Sequence, residues 1–162
     1  MNVLTSVSIE TTWHVKDTCL CLHTQRAARV LARRFDEALR PAGLTNEQFS
    51  LMNAMNAPTP VAMGRVASLL GADRTTLTAA LKPLTRRGMA VVSPDPNDRR
   101  VRRVALTADG QACLARAMPL WTLAHGRLEA ELSATDPDRL RQDLVSLSSP
   151  RPDAPAADAP ER

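Results

Sequence analysis

Two groups of side chains in this sequence have the types and spacing to do chemistry. The first is basic. Arg74, Lys82, Arg86, Arg87, Arg99, Arg100, Arg102 and Arg103 fall between residues 74 and 103, against only Asp95 and Asp98. That segment carries +6 in a chain of net charge +4, so the remainder is −2. A basic concentration in an otherwise mildly acidic chain is an electrostatic footprint for a polyanion. A merely solvated charged face is the competing reading. The second group lies in "DTCLCLHTQRAAR", Asp17 to Arg29, which holds Cys19, Cys21 and His23. Cys19 and His23 are four apart and share a helix face. They could supply two ligands of a metal site if His14 or His125 joined them, although two ligands are weak evidence. A lone histidine more often packs or hydrogen-bonds.

Other chemistry finds little support. The three cysteines are an odd number, which argues against a disulfide framework and for a reducing compartment. There is no phosphate-cradling glycine loop, nucleophile elbow or paired-histidine zinc motif, and only six glycines are present. No enzyme and no cofactor are expected. Aromatic residues are limited to Trp13, Trp121, Phe35 and Phe49, with no tyrosine. That leaves little for a base-stacking platform on single strands. No apolar run approaches the roughly 18 residues of a membrane span. The N-terminus carries Glu10 and does not read as a signal peptide. A cytoplasmic protein is the simplest expectation.

The elements that must position these residues are helices, with one hairpin. Apolar content of 44%, carried mainly by Leu, Ala, Val and Met, favours a helical core. Residues 1–11 are expected to be an arm. A helical stripe from Thr12 to Leu39 carries Trp13, Leu20, Leu31 and Phe35, and Pro41-Ala42-Gly43 stops it. On one continuous helix, Cys19 and Cys21 are rotated by about 200° and cannot bond each other. Thr45 and Gln48 form a capping box for a helix burying Phe49, Met52 and Met55. Thr59-Pro60 reads as the next helix start, ending at Gly71. Asp73 can cap the following helix, which repeats Leu77, Leu81 and Leu84 and ends at Gly88. Two short helices joined by Gly71-Ala72-Asp73 form a helix-turn-helix. Met89–Ser93 and Val101–Leu106 flank turn residues and read as a β-hairpin. Thr107 can cap a long helix that Pro119 is expected to kink. Thr135-Asp136-Pro137 starts a last helix to about Leu147, and 148–162 reads as a disordered tail.

A helix-turn-helix followed at once by a hairpin is a winged helix. The second helix suits the major groove, with Arg74, Thr75, Thr76, Thr78 and Lys82 on its exposed side. The hairpin would carry arginine toward a minor groove. The stretch "LTRRGMAVVSPDPNDRRVRRVALTADG", Leu84 to Gly110, resembles the wing signature of the multiple-antibiotic-resistance regulator (MarR) family. "LTNEQFSLM", Leu44 to Met52, resembles the family's second helix. The likeness spans about residues 12–147.

The resemblance implies a mainly α fold with a small β-hairpin wing: a winged helix-turn-helix lobe at 45–107 and a helical dimerisation layer from 12–44 and 108–147. It also implies a homodimer that reads a palindromic operator, in most cases as a repressor, often of its own promoter. By position, Arg100 matches the arginine that enters the minor groove, Asp98 the acid that orients it, and Arg99 a backbone contact. Arg74, Thr75, Thr76 and Thr78 match groove-facing positions. Pro83 departs from the pattern. Arg102 and Arg103 read as solubilising surface as readily as contacts.

For the signal, the resemblance offers two chemistries. The spacing of Cys21 before Thr45, and the helix "TLTAALKPL" (Thr76 to Leu84), resemble the organic-hydroperoxide-sensing branch, with Cys21 as the reactive thiol and Cys19 beside it. That branch uses tyrosines that this chain lacks, and Phe35 stands where one is expected. The other is a small aromatic effector between lobe and dimer helices, with Trp13, His14, His23, Trp121 and His125 as candidate lining. A metal ion is the third candidate signal. The competing class is a winged helix that binds proteins and not DNA, from which salt dependence would separate it.

Overall fold

The computed structural model describes residues 6–132 and 134–149. In chain order they form α1 (Ile9–Thr18), α2 (Leu20–Leu39), a 3-10 turn (Arg40–Ala42), α3 (Asn46–Met55), β1 (Val61–Ala62), α4 (Met63–Leu70), α5 (Arg74–Arg86), β2 (Ala90–Pro94), β3 (Arg102–Leu106), α6 (Ala108–Glu131) and α7 (Pro137–Ser148). This is the mainly helical winged helix-turn-helix expected. The described part of the 148–162 tail is Ser148 and Ser149, and the rest lies outside the described residues.

The core gathers on α3. Phe49, Leu51, Met52 and Met55 are buried against Phe35 and Leu39 of α2, Val66 of α4, Leu77, Leu81 and Leu84 of α5, and Cys113, Leu114 and Ala117 of α6. The capping box forms as expected: Gln48 N donates to Thr45 Oγ1 and Thr45 N donates to Gln48 Oε1, both at 3.2 Å. The α4–α5 turn is fixed by Gly71, which ends α4 at φ +61°, in the left-handed region that costs a side chain strain. Asp73 then caps α5, accepting from Thr76 N at 2.7 Å.

The wing is part of a sheet of three strands in the order β1-β3-β2, all antiparallel. Val61 pairs with Val104 and Ala62 with Arg103, so the helix start expected at Thr59-Pro60 moves to Met63. The β-branched Val61 joins the central strand before the helix begins. Gly110 sits where α6 crosses the start of β2. A Cβ there would lie 2.0 Å from the Met89 carbonyl oxygen, so only glycine permits this approach.

Two further expectations change. The first helix begins at Ile9, inside the expected arm, where Ser8 caps it by accepting from Thr11 N at 3.2 Å. The continuous helix over Thr12–Leu39 breaks at Cys19, whose backbone is extended (φ −72°, ψ 104°). Cys19 Sγ accepts from Leu22 N at 3.4 Å and caps α2. The rotation that set Cys19 and Cys21 apart presumed a single helix, so that exclusion no longer applies. Pro119 is carried inside α6, which runs unbroken from Ala108 to Glu131.

Among the described residues, α1 and α7 bury no side chain. Trp13, Val15, Leu20, Leu22, Val30, Leu123, Leu140, Leu144, Val145 and Leu147 are all exposed. The lobe shares its core with the inner faces of α2 and α6, while the helices around it leave large apolar surfaces in water.

Candidate nucleic-acid interface

Helix α5 divides cleanly. Leu77, Leu81 and Leu84 are buried, while Arg74, Thr75, Thr76, Thr78 and Lys82 are exposed. The Asp73 cap frees the first turn of α5 to face outward. Its carboxyl is held below the ordinary aspartate range, chiefly by the Thr76 amide and then by the Thr76 hydroxyl. Thr78 Oγ1 donates to the Arg74 carbonyl at 2.8 Å, leaving its lone pairs toward solvent.

The wing adds the second basic face. Asp98 Oδ1 accepts from Arg100 N at 3.0 Å and from Arg100 Nε at 3.2 Å. The Arg100 side chain is 92% exposed, so Asp98 fixes its base while the guanidinium projects. A cleft of about 590 Å³ separates α5 from the wing, and Arg74, Thr78, Lys82, Arg100 and Arg102 line it above a floor that includes Met63, Leu81 and Val92. The structure thus brings four of the eight expected contact residues, Arg74, Thr78, Lys82 and Arg100, to one concave face. Thr75, Thr76 and Arg99 are exposed beside it but do not line the cleft.

Arg102 and Arg103 differ in kind. Arg102 lines the cleft with Lys82 and Arg100, so it shares the basic face. Arg103 pairs through Nε with Asp95, which is only 6% exposed, and donates from Nη1 to the Pro60 carbonyl at 2.8 Å. Asp95 also accepts from Asn97 N at 2.8 Å and Asp98 N at 3.3 Å. The Asn97 amide first, then Arg103, holds the Asp95 carboxyl below its ordinary range against the opposing effect of burial. The surface reading of Arg103 is corrected: it is a half-buried staple. The Asp95…Arg103 spacing of eight residues across a hairpin was the sequence signal for it.

The candidate sensing residues scatter. Trp121 stacks on His125 at 4.5 Å between ring centroids and on Phe49 at 6.1 Å. Trp121, Phe49, Leu69, Leu70 and Met118 are among the residues lining a pocket of about 380 Å³ between the lobe and α6. Trp13 and His14 lie on α1 and His23 on the first turn of α2, all exposed, and none lines this pocket. His23 Nε2 lies 3.2 Å from the Asp17 carbonyl oxygen. Cys21 is exposed and accepts from Gln25 Nε2 at 3.2 Å, whereas Cys113 is buried. Among the described residues no three His, Cys, Asp or Glu side chains converge as around a metal ion. No helix among them is long and apolar enough to cross a membrane.

No protein-family model matches the chain. It is 32% identical over 89 residues to the transcriptional activatory protein BadR of Rhodopseudomonas palustris, a match covering 53% of this chain and about half (51%) of that protein. It is 40% identical to the M. tuberculosis transcriptional regulator MosR solved with DNA, covering 80% of this chain and 93% of that one, with a TM-score of 0.73. The transcriptional repressor CouR on a 23-mer DNA duplex is 30% identical over 83% of this chain and 96% of its own, with a TM-score of 0.73. CouR from Rhodococcus jostii RHA1 has also been solved with p-coumaroyl-CoA. A mutant MarR from E. coli, complexed with operator DNA, shares the fold at a TM-score of 0.72 and 24% identity, covering 82% of this chain and 96% of that one. With α5 and the wing arginines converging on one cleft, and with that likeness extending over nearly the whole length of MosR, the chain belongs to the MarR family of DNA-binding transcriptional regulators.

Proposed function

We propose that the protein is a homodimeric repressor of its own or a neighbouring promoter, reading a palindromic operator and released by a small aromatic effector or by thiol oxidation. The observation that carries the reading is the shared cleft: Arg74, Thr78 and Lys82 of α5 face Arg100 and Arg102 of the wing. The exposed residues of α5 suit base edges and phosphates of a major groove, with Thr75 and Thr76 in its first turn. Arg100, aimed by Asp98, suits the adjacent minor groove, and Arg99 the backbone. The lobe at 45–107 is the reading unit.

Dimerisation is supported by the apolar surfaces of α1, α7, the first half of α2 and the second half of α6. Two lobes related by a two-fold axis call for two half-sites. An aromatic effector is supported by the pocket beneath Trp121, which borders the lobe and α6 and so couples occupancy to lobe position. That CouR has been solved with p-coumaroyl-CoA places an aromatic thioester among the effectors to try. Thiol oxidation has its own observation: Cys21 is exposed in the first turn of α2, and Cys19 caps that helix. A Cys21 thiolate attacking an organic hydroperoxide breaks the O–O bond, giving a sulfenic acid and an alcohol; a second thiol then displaces water to form a disulfide.

The test is fluorescence anisotropy on the DNA upstream of the coding region, with reduced protein, after stoichiometric organic hydroperoxide, and after dithiothreitol. Tight binding lost on oxidation and restored by reductant supports the thiol switch. Tight binding that ignores peroxide and is released by p-coumaroyl-CoA or a phenolic acid supports the effector pocket. Failure to bind any operator in a genome-wide selection sinks the repressor reading and favours a protein-binding winged helix.

A further inference from the structure

The wing tip is organised by two carboxylates in series. Asp98 holds the base of Arg100. Asp95 holds the loop that carries Asp98: its Oδ1 accepts from the Asn97 and Asp98 amides at 2.8 and 3.3 Å. The loop is closed behind it by Asp95 N donating to the Val101 carbonyl at 2.8 Å and Val101 N donating to the Asp98 carbonyl at 2.9 Å. The second Asp95 oxygen is taken by Arg103 Nε. Asp95 is the one charged side chain buried among the described residues. A buried carboxylate is tolerated when its lone pairs are met by donors and a paired cation, and this one has both.

Arg103 extends the chain of contacts beyond the wing. It stands on the central strand, opposite Ser93 of β2 and Ala62 of β1. Its Nη1 reaches the Pro60 carbonyl at 2.8 Å, and Pro60 immediately precedes β1, which feeds directly into α4 of the helix-turn-helix. The planar guanidinium fork grips the wing loop with one arm and the start of the helix-turn-helix with the other. A lysine has no second arm in that geometry.

We infer that Asp95 and Arg103 are positioning residues for DNA binding: they lock the wing tip to the root of the helix-turn-helix, so that Arg100 meets the minor groove at the height at which α5 meets the major groove. This rests on the proposed role of Arg100. It predicts that the pair acts on DNA through the wing arginine and not through contacts of its own.

The experiment is a double-mutant cycle on the operator, by anisotropy, with the full chain. The variants are Arg100→Ala, Arg103→Met, the double variant and Asp95→Asn. Asp95→Asn retains an acceptor for the Asn97 amide while removing the charge that Arg103 grips. Arg103→Met is expected to weaken operator binding about tenfold, the order of losing one groove-inserted arginine. It should lower the slope of log affinity against log salt by about one, as Arg100→Ala does. In the Arg100→Ala background it should cost less than about twofold further, because residues acting through one another are not additive. Asp95→Asn should show the same pattern. A general loss of folded protein would lower affinity equally in both backgrounds without changing the salt slope, and thermal melts of each variant identify that case. Should Arg100→Ala weaken binding and Arg103→Met multiply the loss in full, the positioning role is overturned while Arg100 keeps its contact. Should Arg100→Ala bind like the wild type, both the contact and the inference built on it are overturned.

Discussion

Arg100 is the most exposed of the wing's ion-paired side chains, and the Asp98 carboxylate holds its base. Truncation of Arg100 to alanine is expected to cost about 1–3 kcal/mol of operator affinity by anisotropy, with a shallower salt dependence. Unchanged affinity removes it from the interface. Gly110 matters for the opposite reason, since it lacks a side chain. A Gly110→Ala methyl would collide with the Met89 carbonyl, which also accepts from Thr107 N at 3.1 Å. We expect a loss of about 1–3 kcal/mol or more in urea unfolding. A melting curve like that of the wild type would show that α6 can move away.

At the scale of elements, the caps set where helices begin and therefore where functional side chains point. Thr45→Ala removes one half of the α3 capping box and is expected to cost about 1 kcal/mol of stability, read as a drop in urea midpoint at constant m. The caps and the wing loop also share an acid dependence. The folded carboxyls of Asp73 and Asp95 sit below their ordinary range, so the stability they supply is complete above the unfolded aspartate value of about 4 and is lost as pH falls through the lower folded values. Amide exchange at Thr76, Asn97 and Asp98 should therefore be insensitive to pH-driven opening between about pH 5 and 8, and protection should fall below about pH 4. If protection is already lost near pH 6, the carboxylates are not what holds these turns.

For the whole molecule, one core joins the lobe to α2 and α6, whereas α1 and α7 bury no side chain among the described residues. Leu140, Leu144, Val145 and Leu147 of α7 are exposed while the lobe core is sealed. Leu144→Asp is expected to shift the protein from dimer to monomer in sedimentation velocity. Operator affinity should fall with it, because one lobe retains only one half-site. A dimeric variant would place the proposed dimer seam elsewhere, and a monomeric wild type would overturn the dimer itself. The Arg34–Glu131 pair, with Nη1 and Nη2 donating at 2.8 and 2.5 Å, ties α2 to the end of α6 within one chain. Its exposed position gives it a small share of the stability.

How much was legible followed from the range of the interaction. Capping residues, the Leu77, Leu81 and Leu84 repeat, the Gly71 turn and the valine-flanked hairpin are local signals, and local backbone chemistry determined the elements and the winged-helix class. The DNA-facing candidates Arg74, Thr78, Lys82 and Arg100 could be read as exposed positions on those elements. Pairings between distant segments could not. Val61 became a strand only because Val104 lay alongside it, Arg103 became a staple only because Asp95 and Pro60 converged on it, and the helix break at Cys19, with its thiol cap, is one that no periodicity reports. Whether Trp13, His14 and His23 approach Trp121 and His125 was likewise undetermined, since helix packing and not spacing decides it. Residue type and local spacing were enough to say which residues could form each element and carry charge. Which of those charges face outward and which are consumed in holding the wing was settled by folding, because burial and pairing exist only once the chain is folded.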